Sequence, residues 1–187
     1  MDHYIDLRLR PDPEFSPDSL LTALYAKLHR ALVRHGHGDI GISFPDVRDA
    51  ELKLGECLRL HARFTTLQLF MDSAWLSGIR DHVSIGQITP APDHAKHRVV
   101  RRVQAKSNVE RLRRRQMKRH DISSQQARER IPDSAVELLQ LPCIQLSSAS
   151  TGQSFPLFIQ HGELRDKARS GRFNSYGLST TATIPWF

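Results

Sequence analysis

Eleven lysines and arginines, against one acid at Glu110, crowd residues 95–120, so a chain of formal charge +7 carries +10 in that segment and −3 elsewhere. Such a stretch cannot enter an apolar core as a whole. Like charges three and four residues apart repel on a helix, and each unpaired cation taken out of water costs several kcal/mol. One short segment is therefore intensely basic on a mildly acidic body. Charge spread evenly would suggest little more than solubility. Charge concentrated this way is the footprint of a polyphosphate partner.

The rest of the chain bounds what that body can be. Its 187 residues suffice for one large domain or two small ones, and 39% hydrophobic content is that of a globular protein. No apolar run approaches the roughly 18 to 20 residues that cross a bilayer, and Met1-Asp2-His3-Tyr4-Ile5-Asp6 does not open like a signal peptide. Cys57 and Cys143 form no Cys-x-x-Cys pair, so neither a disulfide framework nor a zinc cage is expected. No metal and no cofactor are expected, and the expected home is the reducing cytoplasm, away from membranes.

Periodicity predicts alternating strands and helices up to about residue 90. Ile5, Leu7 and Leu9 alternate with Asp6 and Arg8 as a half-buried strand. Ser16 caps a helix with Pro17 at its first position, and Leu20, Leu24, Leu28, Ala31 and Leu32 form its stripe before His35-Gly36. Ile40, Ile42 and Phe44 mark a second strand, and Leu58, Leu60 and Ala62, alternating with Arg59 and His61, a third. A short helix over 64–71 and a strand at Val83 and Ile85 complete β-α-β-β-α-β, the ferredoxin-like (RRM-like) order. The fold class expected is α+β: a ferredoxin-like domain over 1–93, then a smaller domain over 94–187 bearing an arginine-rich helix at about 108–120. In that second part Val99, Val100 and Val103 suggest a strand. Further helices open at Ser123 and at Pro132-Asp133, and β structure is expected over 143–148, 155–159 and around 173–178.

On the basic helix, Arg111, Arg115, Lys118 and Arg119 share one face, with Arg114 beside it. Ser107 or Asn108 can cap it, with Glu110 in the first turn where the helix dipole favours an acid. A solvated basic surface is the plain alternative, but every phosphate neutralised releases counterions and adds affinity. A DNA-reading helix would mix polar base readers with its cations; a nearly all-cationic one suits the deep, narrow major groove of A-form RNA near helix ends and loops. Upstream, Arg102 and Gln104 stand two apart, on one side of a strand. Arginine pairs bidentately with guanine and glutamine with adenine in a major groove.

Taken together, these residues resemble the CRISPR-associated endoribonucleases that process precursor CRISPR RNA in type I-F systems. The resemblance runs from Met1-Asp2-His3-Tyr4 and Arg8-Leu9-Arg10-Pro11-Asp12-Pro13 through Arg102-Val103-Gln104-Ala105-Lys106-Ser107-Asn108 and Glu110-Arg111-Leu112-Arg113-Arg114-Arg115. It ends in Ser148-Ala149-Ser150-Thr151-Gly152, Tyr176-Gly177-Leu178-Ser179 and Pro185-Trp186-Phe187. It implies metal-free cleavage of each CRISPR repeat at the 3′ base of its stem-loop, and an enzyme that keeps its product and joins the crRNA-guided surveillance complex, as a monomer on the RNA. It places His29, Ser148 and Tyr176 on active-site positions, with Ser150 beside them. Arg102 and Gln104 fall on base-reading positions, Phe155 on the residue stacking against the lowest base pair, and Arg115 and Arg119 on phosphate contacts. Ser107, Arg111, Arg114, Lys118 and His120 complete the expected RNA-binding set. Two departures, Lys118 for an arginine and Ser147 for a basic residue, remove no group that the reaction needs.

The chemistry is consistent with those residue types. RNA carries its own nucleophile, the 2′-hydroxyl, which must be deprotonated and aligned with the phosphorus opposite the leaving 5′-oxygen. Histidine is the natural base at neutral pH, and His29 stands at the edge of the first helix's apolar stripe, where a histidine is ordinarily structural. His35 with His37, or His94 with His97, are ordinary solvated pairs before they are metal ligands. Ser148 and Ser150 alternate, so both hydroxyls can face one site, one of them directing the 2′-hydroxyl; as plain sequence they belong to a turn. Tyr176 can orient the imidazole through its phenol, or simply pack. Phe155 alternates with Leu157 and Ile159, so it is either core or a cap on the hairpin end. No cation for the phosphate is evident by inspection. A hairpin-binding subunit without turnover, or a DNA-binding regulator, would use the same basic residues without His29.

Overall fold

A computed structural model describes residues 1–187 except 105–108, 132–138 and 148–151, and omits the side chains of 109–111. The architecture is α+β, with four α-helices among the described residues. It comprises two compact units: Met1–Arg102 with Leu141–Phe187, and Val103–Gln140.

The first unit is built on β1 (His3–Leu9), α1 (Pro17–His35), β2 (Gly41–Ser43), β3 (Cys57–Ala62), α2 (Phe64–Asp72) and β4 (Val83–Ile85). The strands form an antiparallel sheet in the order β2-β3-β1-β4, with β5 (Thr89–Pro90) added beside β1. Helix α1 begins where Ser16 accepts a hydrogen bond from the Ser19 amide, and it ends at Gly36, whose φ of 71° suits a left-handed cap. Its buried stripe of Leu20, Leu21, Leu24, Tyr25, Leu28, Ala31 and Leu32 joins the core formed by Ile5, Leu7, Leu58 and Leu60 of the sheet.

Strand β3 departs from the alternation expected of it, because all six of its residues are buried. Arg59 and His61 would face water if one side of the sheet were open, but each is covered and has a polar partner. Arg59 donates from Nε and Nη2 to the Asp6 carboxylate at 2.6 and 2.9 Å, and its guanidinium lies 4.4 Å from the Tyr4 ring centroid and 4.2 Å from that of Phe187. His61 meets the Ser43 hydroxyl at 2.8 Å, and burial pushes its pKa down to about 3.

The compact units follow a different line from the expected split at residue 93. Strand β6 (Lys96–Arg98) pairs with β10 (Ile184–Trp186), while β7 (Val100–Val103), β9 (Ser154–His161) and β8 (Cys143–Ser147) form a three-stranded sheet in that order. Val100, Ile144, Leu146, Leu157 and Ile159 bury their side chains in the same core as α1. The chain after residue 141 therefore returns to the first unit. Residues 173–178 form a turn rather than β structure, and the closing strand lies at β10, where Pro185 hides it from a reading based on propensity.

The second unit holds α3 (Val109–His120) and α4 (Ser124–Arg130). Ser123 and Gln126 form a reciprocal capping box at the start of α4. Arg113 is buried, and its Nε and Nη2 both donate to the Ile131 carbonyl, at 2.9 and 2.7 Å. One arginine of the basic run thus holds α3 to the end of α4. The helix expected from Pro132 falls mostly outside the described residues.

Candidate active site

Four residues on α1, β7, β9 and the 173–178 turn come together in the first unit. His29 lies half-buried at the edge of the α1 stripe, between the buried Leu28 and Leu32 of the same helix. Its Nδ1 lies 2.8 Å from the Ser175 carbonyl oxygen. A carbonyl has no proton to give, so Nδ1 carries the hydrogen and donates. In the neutral ring the lone pair is then on Nε2, the atom able to accept a proton.

Tyr176 covers the imidazole with its face. The ring centroids are 4.2 Å apart and the planes differ by 3°, so the contact between them runs through the ring faces. The turn that presents Tyr176 is held by Asn174, whose Oδ1 accepts from the Tyr176 amide at 2.9 Å and the Leu178 amide at 3.2 Å. Gly177 is needed at its tip: its φ is +70°, and a Cβ there would stand 2.6 Å from Ile42 Cγ2.

Arg102 brings a cation to this group. Its guanidinium carbon lies 5.3 Å from the Tyr176 ring centroid and 5.5 Å from that of Phe155, and its Nε is buried without a hydrogen-bond partner among the described residues. Phe155 is half-buried and packs at the margin of the core, opposite Leu146 on β8. The alternation that suggested three core residues on β9 therefore separates them: Leu157 and Ile159 are fully buried, while Phe155 keeps an open face.

The remaining expected residues are distributed as follows. Gln104 is exposed immediately after β7. Arg114, Arg115, Lys118, Arg119 and His120 are all exposed on α3, in the second unit. Ser107, Ser148 and Ser150, and the side chain of Arg111, lie outside the described residues. Two residues missed by sequence reasoning are Tyr25 and Asn174. Tyr25 sits within the apolar stripe of α1, indistinguishable there from packing, and Asn174 is one polar residue among many in a loop; neither carried a sequence signal.

The family model described as CRISPR-associated protein (Cas_Csy4) matches residues 4–187. The chain is 52% identical over 187 residues to the "CRISPR-associated endonuclease Cas6/Csy4" of Pseudomonas aeruginosa (strain UCBPP-PA14), covering all of both chains. It is 48% identical, again over the full length of both, to the protein of the same name from Escherichia coli (strain UTI89 / UPEC). A family model that spans nearly the whole chain, together with relatives matched end to end, makes the chain a member of the Cas_Csy4 family of CRISPR-associated proteins.

Proposed function

We propose that this protein is a metal-independent endoribonuclease that recognises the stem-loop of a CRISPR repeat and cuts precursor CRISPR RNA at the 3′ base of the hairpin. The observation that carries the reading is the state of His29: Nδ1 is committed to the Ser175 carbonyl and the ring is held flat against Tyr176, which leaves Nε2 as the proton acceptor. The 2′-hydroxyl of the scissile nucleotide gives its proton to Nε2, and the resulting oxyanion attacks the adjacent phosphorus. The 5′-oxygen leaves with the electron pair of its bond to phosphorus and takes up a proton from water, and the phosphate closes as a 2′,3′-cyclic ester. Ser148 directs the 2′-hydroxyl, with Ser150 beside it. In this step the base is worth about 10² to 10⁴ in rate.

Arg102 and Gln104 read bases at the foot of the stem, and Phe155 stacks beneath the lowest pair. The contact of Arg102 with Tyr176 supports a base read next to the scissile bond. Arg114, Arg115, Lys118, Arg119 and His120 of α3, with Arg111 and Ser107, hold the phosphates of the stem. The β1-α1-β2-β3-α2-β4 order and the β2-β3-β1-β4 sheet support a ferredoxin-like first unit, and α3 makes the second unit the gripping module. The protein acts in the cytoplasm as a monomer on the RNA, keeps the cleaved hairpin, and enters the crRNA-guided surveillance complex with it.

His29→Ala tests this directly. Cleavage of a repeat hairpin in EDTA should disappear, while affinity for the hairpin stays within a few-fold, because the base moves a proton and holds little RNA. Strict dependence of the wild-type protein on a divalent ion would exclude the mechanism.

A further inference from the structure

Tyr25 and His29 stand four residues apart on α1, on one face and one turn from each other. Both reach the same turn of the chain. His29 donates to the Ser175 carbonyl at 2.8 Å, and the Tyr25 hydroxyl donates to the next carbonyl, that of Tyr176, also at 2.8 Å. We propose that Tyr25 is a positioning residue for RNA cleavage, fixing the Ser175–Tyr176 turn against α1 and so setting the stack and the tautomer of His29. The inference rests on His29 being the base.

Tyr25 is placed to hold a fixed geometry. It is fully buried, and its ring lies 6.2 Å from that of Phe44, inclined by 29°. A side chain packed this way has few rotamers to explore. Its hydroxyl would be costly in the core without a partner, and the Tyr176 carbonyl is that partner. Burial, reinforced by the neighbouring Tyr176, pushes the phenol well above its ordinary pKa, so it remains a donor wherever the protein is folded.

The turn is secured from three sides. Asn174 holds it from within, and the Ile42 amide donates to the Gly177 carbonyl at 3.0 Å from β2. Neither of those bonds sets the distance from the turn to the helix that carries His29. The two α1 bonds do, and they use adjacent carbonyls, so loss of one frees the peptide next to the other. The Ser175 carbonyl can then drift from Nδ1, and the proton can move to Nε2, which makes His29 the wrong tautomer for a base.

Tyr25→Phe in the full chain keeps the ring and removes the hydroxyl. Single-turnover cleavage of a repeat hairpin should fall roughly tenfold, a part of the rate a positioned base supplies, with hairpin affinity unchanged. Nitrogen-15 spectra of the His29 imidazole should show the Nε2–H form appearing beside Nδ1–H, a change that general loosening of the core would not produce. A wild-type rate, or an unaltered tautomer, overturns the inference. An intact wild-type hydrogen bond supplies a second reading that needs no variant: the Tyr25 hydroxyl proton should exchange slowly, and exchange at the solvent rate overturns the proposal. His29→Ala separates the two levels. If it cuts at full rate, the base has been misassigned; if it is inert while Tyr25→Phe cuts normally, only the positioning role fails.

Discussion

At His29 one hydrogen bond decides which nitrogen can take a proton, and a flat ring at 4.2 Å decides where that nitrogen points. Arg102 shows the same economy. It stands on the strand that precedes the basic helix, yet its guanidinium lies beside Tyr176 and Phe155. Arg102→Ala should therefore act through sequence discrimination. It should weaken binding of the cognate hairpin by about 1 to 3 kcal/mol and leave a hairpin with exchanged basal pairs almost unaffected, as titrations of both RNAs would show. Equal losses on the two would assign Arg102 to charge alone. Sequence made these residues visible to different degrees. His29 was legible as a histidine at the edge of a stripe, but not its tautomer, because Ser175 lies 146 positions away and accepts the bond only through its backbone oxygen. Tyr25 was invisible, since a tyrosine within a leucine stripe has the periodicity of packing whatever its hydroxyl does.

Elements whose hydrophobic period matched a single buried face were the most legible. Helix α1, with its serine cap, proline start and glycine stop, was readable almost to the residue. Strand β3 was legible from its alternation, but the burial of its polar side chains was not: Asp6 and the rings of Tyr4 and Phe187 that meet Arg59, and the Ser43 hydroxyl that meets His61, come from other parts of the chain. Within α3 the basic run divides into two roles that composition cannot separate. Arg113 is buried and tied to Ile131, whereas Arg115 and Arg119 are exposed. Arg115→Ala and Arg119→Ala should each flatten the salt dependence of hairpin binding by about one unit of slope, roughly uniformly across RNA sequences. Arg113→Ala should instead lower stability by about 1.5 to 3 kcal/mol, the range for hydrogen bonds to a charged group. Denaturation and salt titrations of the three variants distinguish those outcomes, and a salt slope moved by Arg113→Ala as much as by the others would contradict the division.

For the whole molecule, two histidines drawn away from water make stability depend on pH in a definite direction. His61 is held down to about 3 and His161 to about 4, both chiefly by burial. In the unfolded chain each takes up a proton near pH 6.5. The unfolded state therefore binds more protons between pH 6.5 and the folded values, and stability falls as pH is lowered through that window. Each histidine contributes a slope of about 1.4 kcal/mol per pH unit. His61→Gln should flatten the acid side of a stability–pH curve, and an unchanged slope would mean that His61 can be protonated in the folded protein. The larger claim, that one unit cuts RNA with the RNA's own hydroxyl while the other grips the stem, meets its most direct test in the substrate. A repeat hairpin carrying 2′-deoxyribose at the scissile nucleotide, incubated with the protein in EDTA, should bind as tightly as the all-ribose hairpin and remain whole, while the all-ribose hairpin yields a 2′,3′-cyclic phosphate. Cleavage of the deoxy substrate, or a product ending in an open 3′-hydroxyl, would contradict it.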